Sequence, residues 1–529
     1  MLQALQKNLQ RTYMAIQLNK TLYRTVLIVS FLAINTLVLY GIGAAWAFMN
    51  TGADKTSMLH LEVPMEDVYK PSLDWTNLVN PGRPMEDQAL GEITNDYMNA
   101  WHVRNIAYKK NDPYGIEDFY TDSARVRLYD NIDLNKKNNH WYKRTTLNHN
   151  SSLDFYTADG TMVVFKDYNV EEYQEIYEGE TLLSKEKDTT SYQVMMLLED
   201  GFWRIRHLKE IPTPIDTSKT EPRNIQDKLE KIKNTKGINY YPKDSPWDTF
   251  GKKFNDSIIN QDFKIIQDMG LNTIRVFIQY EDFGKNRVDY KKLDLLKILL
   301  DSAEENNLDV LITLFDFYGD YDVSNWTLTH RHAETIVNAV KDHPALLGWD
   351  IKNEPDLDFE SRGRLSVLNW LEQMIENIKK WDKNHPVTIG WSTPEAGINL
   401  ADKVDFVSFH YYRDVQDFKK AYDTLNGAVP NKPKVLQEYG MSSYKGLWNL
   451  YRGANEEGQR DYYNEIQPIL RDNHIPYMFW TLYDFKKVPS SVAGSLPWKT
   501  KKQHFFGCLD SLGNKKPAYF ELTVNKENN

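Results

Sequence analysis

Two glutamates close short apolar runs in the second half of this chain. Glu354 ends "LLGWDIKNE", and Glu438 ends "PKVLQE". An ionisable carboxyl at the mouth of an apolar run costs solvation energy unless it has a task. Two opposed carboxyls have a recognisable one. In glycosidic bond cleavage one carboxyl stays protonated to donate to the leaving oxygen, while the other stays ionised to attack the anomeric carbon. An arginine near the attacking group keeps it charged, a tyrosine hydroxyl can hydrogen-bond it, and a tryptophan face can hold a sugar ring.

Such residues need a scaffold that brings distant segments to one face. From Gly237 onward short β-rich runs alternate with helix-length amphipathic segments. The runs are "GINYY", "NTIRVFI", "DVLITLFDF", "LLGWDIKN", "PVTIGWS", "VDFVSFHYY", "PKVLQEYG" and "YMFWTLYDF". Eight strands interleaved with helices over residues 237–522 predict an α/β fold, a (β/α)8 barrel, whose chemistry sits at the carboxyl ends of its strands. Those ends carry Asn239, Tyr240 and Tyr241; then Arg275; Asp316; Asn353 and Glu354; Trp391; His410, Tyr411 and Tyr412; Glu438; and Trp480.

"NEP" after strand four, "HYY" after strand six, "QEYG" after strand seven and "FWTLYDF" on strand eight resemble the clan A glycoside hydrolases, most closely family 5, the cellulase and mannanase type. The resemblance covers about residues 237–520. It implies Glu354 as general acid/base, with a raised pKa, and Glu438 as nucleophile. It further implies Asn353 against the sugar 2-hydroxyl, Arg275 and Tyr412 holding Glu438, His410 lining the catalytic subsite and Trp480 as its floor. Asn239 and Asp316 join them as supporting residues. Strand three departs from the family, which often has His then Asp where this chain has Phe315 and Asp316. Sugar specificity therefore does not transfer. The implied substrate class is a β-linked glucan or mannan, cleaved with retention of configuration.

Elsewhere the chain is organised around its amino end. Residues 25–51 hold no charged side chain, enough apolar helix to cross a bilayer. Lys7, Arg11, Lys20 and Arg24 precede it without any acid, so the positive-inside rule predicts a cytoplasmic amino terminus (1–24), a transmembrane signal anchor (25–50) and a periplasmic or extracellular remainder. A cleaved signal peptide is the other reading, although its apolar core is normally shorter. Residues 51–85 read as a polar stalk. Residues 86–211 start helical and then alternate as strands, with turn signals at Asp159-Gly160 and Asp200-Gly201. This small α+β domain is similar in pattern to the cone-shaped nuclear transport factor 2-like domains. It shows no catalytic constellation and reads as a binding or pairing module, the place for a protein partner. Residues 212–236 read as a linker.

Composition bounds the remaining possibilities. Among 529 residues are 14 Trp, 32 Tyr and 22 Phe, suited equally to cores and to sugar faces. A net charge of −10 argues against nucleic acid, which wants a basic footprint. The single cysteine, Cys508, rules out an intrachain disulfide and a cysteine zinc site, and neither a helical His pair nor a phosphate-binding glycine loop occurs. No metal or cofactor is expected. The alternative to a membrane-tethered hydrolase is a transglycosylase, or a weakly catalytic carbohydrate-binding part, within a membrane apparatus that makes or exports polysaccharide.

Overall fold

The computed structural model describes residues 20–50, 68–80, 83–214, 222–446, 455–489 and 501–524, together with residues 3, 6 and 492. Lys7, Arg11, residues 51–67 of the expected stalk and residues 215–221 of the expected linker lie outside them. A helix spans Lys20–Asn50, and within it Thr25–Ile42 has a mean hydropathy of 2.1 with its side chains exposed. Length and composition suffice to cross a membrane, and a signal sequence would pass the same test.

From Val63 onward the chain forms one compact unit containing two sheets. The first sheet runs β1 (Ser72–Asn77), β3 (Asn148–Tyr156), β4 (Met162–Glu178), β5 (Thr181–Glu199) and β6 (Phe202–Ile211), with β2 (His140–Thr146) on the outer half of β4. Period-two alternation sends Val163, Phe165, Val194 and Met196 to one face, where the helix Asp87–Lys110 covers the sheet with Ile93, Tyr97 and Trp101. Asp200 and Gly201, both at positive φ, join β5 to β6 as their sequence predicts. One boundary needs correcting. Residues 72–77, read as stalk, are the parallel edge strand β1 paired with β3, and buried Tyr69 just ahead of it also belongs to the small domain. The polar segment "SLDWTN" has too little alternation to announce a strand on its own.

The second sheet is a closed parallel barrel of eight strands. In chain order they are β7 (Lys236–Asn239), β8 (Thr273–Gln279), β9 (Asp309–Asp316), β10 (Leu346–Asn353), β11 (Val387–Trp391), β12 (Val407–Tyr411), β13 (Lys434–Tyr439) and β14 (Tyr477–Phe479). The expected linker again holds structure that belongs to its neighbour. Helix Gln226–Lys233 plugs the base of the barrel, where Ile232 packs with Leu311, Leu347, Phe406, Val435 and Met478. Lys228 donates to the Leu346 carbonyl there, and Lys231 pairs with Asp309 at 2.7 Å.

The long strand β4 joins the two sheets. Tyr173 packs on Trp326, with ring centroids 4.4 Å apart, at the start of the barrel helix Trp326–Val340. Asn369, on helix Arg364–Trp381, donates to the buried Glu175 carboxylate at 2.9 Å and accepts from Lys185 at 2.7 Å. Glu175 also receives the Tyr173 and Tyr177 hydroxyls. Asn369→Leu would leave this carboxylate one donor short, at a cost of about 1–3 kcal/mol. We expect a correspondingly lower urea midpoint for the unit from residue 63 onward, and an unchanged midpoint would remove Glu175 as the anchor between the sheets.

Candidate active site

At the carboxyl end of the barrel a fully buried arginine organises the strands. Arg275, on β8, donates from Nη1 to Asn239 Oδ1 at 3.1 Å and to Glu438 Oε2 at 3.2 Å, and from Nη2 to Asp350 at 2.6 Å and Asn353 Oδ1 at 2.9 Å. Its Nε donates to Thr313 and Asp350. Asp350, inside β10, is the counter-charge. One oxygen receives Arg275, the Thr313 hydroxyl and Gln437, and the other receives the Gly390 amide at 2.8 Å. Gly390 has no alternative here, because a Cβ would lie 2.7 Å from Gln437 Oε1 and 2.9 Å from Arg275 Nη2. Asp350 escaped the sequence reading, which considered only strand ends. An acid in the middle of "LLGWDIKN" was the available signal.

This network presents Glu438. Its Oε2 is held by Arg275, and its Oε1 accepts the Tyr412 hydroxyl at 2.6 Å. Asn239 braces the same strands by donating to the Gln437 and Phe479 carbonyls. Glu354 takes up the left-handed region (φ 48°, ψ 49°) and donates its amide to the Gly390 carbonyl at 2.7 Å, as the chain turns from β10 into the short helical turn Pro355–Asp358. A non-glycine residue in that region carries a backbone cost, a common feature of functional sites.

His410, at the end of β12, stands between the two carboxylates. Its Nδ1 lies 2.9 Å from Glu354 Oε1 and 3.8 Å from Glu438 Oε2. One oxygen of each carboxylate therefore lies within about 7 Å of the other, an upper limit that admits the ~5–5.5 Å separation of retaining enzymes and the lower end of the ~6.5–9.5 Å inverting range. Burial works against charging His410, but the carboxylates of Glu438 and Glu354 outweigh it and raise its pKa. Burial likewise disfavours the Glu354 anion, yet the His410 hydrogen bond and charge prevail and lower its pKa. The sequence predicted a raised value for Glu354. The histidine beside it reverses the sign, and the proton of the pair rests mainly on His410.

The walls are aromatic. Trp480 is buried among Tyr241, Trp247 and Phe277, with centroid distances of 6.0, 5.8 and 6.3 Å. Trp247 was not anticipated, since it lies in the loop after β7 rather than at a strand end. Trp391, counted among the converging strand ends, is buried against Phe359 and offers no free face. Asp316 is buried, accepts the Tyr241 hydroxyl at 3.3 Å, and is pushed up to about 7 by burial, against the pull of Lys352 and Arg275. Lys352, a second unanticipated charge, is buried with its ammonium 3.4 Å from Asp358. Asp484, just beyond β14, is tied to Lys516 at 3.1 Å and to the Gly507 amide. Asp301, Glu304 and His343 form a group with metal-ligand spacing, on a helix end and loop that lead into the strand bases rather than at the strand tips.

The pH dependence of stability follows from His410. Its folded pKa lies above the unfolded value of ~6.5, so its contribution is complete below that value and is lost as pH rises through the folded pKa. Melting temperatures measured from about pH 5 to 9 should fall on the alkaline side, and His410→Gln should flatten that fall. An equally steep fall in the variant would assign it to other groups.

Residues 231–486 match the family model described as cellulase (glycosyl hydrolase family 5). Among curated proteins, mannan endo-1,4-beta-mannosidase 3 of Solanum lycopersicum is 21% identical over 223 residues, covering 35% of this chain and 50% of its own length. The beta-glucuronidase of Chlorocebus aethiops is 23% identical over 266 residues, covering 47% and 39%. The match thus spans half or less of the length of these two relatives. Among solved structures, an exo-beta-1,4-mannosidase from Opitutaceae bacterium strain TAV5 aligns at 19% identity with a TM-score of 0.46, over 59% of this chain and 61% of that one. A GH5_18 protein from Streptomyces cattleya in complex with GlcNAc aligns at 15% and 0.45, over 57% and 80%. The match to the cellulase (glycosyl hydrolase family 5) model thus covers the barrel, just under half of the chain.

Proposed function

We propose that this protein is a retaining β-glycoside hydrolase, held at a membrane by the helix Lys20–Asn50, with a β-mannoside or related β-linked glycan as substrate. The observation that carries the reading is the pair of carboxylates at the ends of β10 and β13, bridged by one histidine nitrogen. The mannan-cleaving names among the relatives support the sugar.

The reaction is a double displacement. Glu438, paired with Arg275 and oriented by Tyr412, attacks the anomeric carbon. The bond to the leaving oxygen breaks as that oxygen takes a proton from Glu354. The resting pair keeps this proton mainly on His410, whose affinity for it depends on the Glu438 charge. As Glu438 becomes a neutral ester that charge is spent, and the proton is driven along the 2.9 Å contact onto Glu354 at the moment it is needed. In the second step Glu354 takes a proton from water as that water attacks the anomeric carbon, breaking its bond to the Glu438 oxygen, which frees the sugar and restores the Glu438 carboxylate. Asn353, its carbonyl oxygen fixed by Arg275, turns its amide toward the sugar 2-hydroxyl, and Trp480 underlies the ring.

Product analysis on β-mannan, β-glucan and xylan tests this. Glu438→Gln should lower turnover on the order of 10⁴-fold or more. Glu354→Gln should lose roughly 10²–10⁴-fold on natural glycosides and far less on an aryl glycoside whose phenolate leaves unaided. A β-anomer formed first confirms retention. Cleavage that survives Glu438→Gln, or an α-anomer formed first, overturns the mechanism.

A further inference from the structure

The small domain holds a charge imbalance that the barrel chemistry does not use. Glu172 on β4 faces the covering helix, because alternation turns its neighbour Tyr173 toward the barrel. Two guanidiniums converge on this one carboxylate: Arg104 Nη2 at 3.6 Å and Arg144 Nη2 at 3.3 Å. The Tyr192 hydroxyl donates to it as well. Two cations therefore share one anion in a largely buried place, where an unmatched charge costs several kcal/mol.

The donors outnumber the acceptors too. Arg104 is 9% exposed and lies over the Trp101 ring at 4.0 Å, and its Nε has no hydrogen-bond partner among the described residues. On the same stretch of helix, Asn105 Nδ2 is also a buried donor without a hydrogen-bond partner among the described residues. Buried polar groups are nearly always satisfied, so the two orphaned donors, Arg104 Nε and Asn105 Nδ2, with two cations on one carboxylate describe a place short of acceptors. Arg144, one-fifth exposed and stacked on Tyr108 at 5.3 Å, connects it to solvent. Arginines with aromatic faces suit a carboxylate or phosphate carried on a small polar ring.

We propose that the small domain is a binding site for an oxyanion ligand, held by Arg104 and Arg144, independent of the barrel. An acidic sugar and free phosphate share this chemistry. The full chain in detergent would be titrated calorimetrically with sodium glucuronate, inorganic phosphate and glucose, and the same titrations run on Arg104→Met, Arg144→Gln and, as a barrel control, Glu438→Gln.

The expected result is binding of glucuronate or phosphate but not glucose, weakened at least tenfold in both arginine variants and retained in Glu438→Gln. Which anion binds identifies the source. Removing the surplus cation should also leave the melting temperature of ligand-free Arg104→Met unchanged or higher, whereas a purely structural ion pair would lower it. If Arg104→Met fails to fold, Arg144→Gln, nearer the rim, carries the binding test. Absence of anion binding to the native chain, or binding that both arginine variants keep, overturns the proposal.

Discussion

Everything at the mouth of the barrel depends on one buried cation. Arg275 is wholly enclosed, and a guanidinium in that position is tolerable only with its charge matched and its donors filled. Asp350 supplies the match, and Thr313, Asn239, Asn353 and Glu438 fill the rest. The same bonds tie β7, β8, β9, β10 and β13 to a common centre. Orientation of the attacking carboxylate and stability of the barrel mouth are therefore one problem with one solution, and glycine at position 390 is what makes room for it.

Around that centre the charges are arranged so that protonation states depend on one another. Arg275 and Asp350 form a fixed pair, while His410 and Glu354 share a proton whose hold on His410 is strengthened by the neighbouring Glu438 carboxylate. A histidine buried between two carboxylates cannot titrate independently of either, so consuming one charge moves the affinity of the next group. Asp316, near neutrality in its preference, adds a further group at the same face whose state depends on Lys352 and on what occupies the cleft.

Much of this was legible in the sequence because a parallel barrel converts strand endings into a shared surface. Asn353, Glu354, His410, Tyr412 and Glu438 sit at or beside such endings, Arg275 reaches them from the third residue of β8, and all of them meet. What was hidden depends on partners far away in the chain. Asp350 is an interior strand residue whose meaning appears only opposite Arg275. Trp247 comes from a loop. The direction of the Glu354 shift is set by His410, 56 residues on. The strand at 72–77 and the helix at 226–233 looked like spacers because each is short, polar and stabilised by a sheet or barrel end that sequence cannot place beside it.

The docking of β4 on the barrel bears on how this chain can be divided. The two helices it touches, Trp326–Val340 and Arg364–Trp381, flank β10 on either side in sequence, and β10 delivers Asp350, Asn353 and Glu354. A barrel cut free at residue 222 would bare Trp326 and Asn369, and the small domain alone would bare Tyr173 and Glu175. Neither half is a ready-made module. Recombination or truncation at that boundary would deliver sticky, partly polar faces rather than two soluble parts.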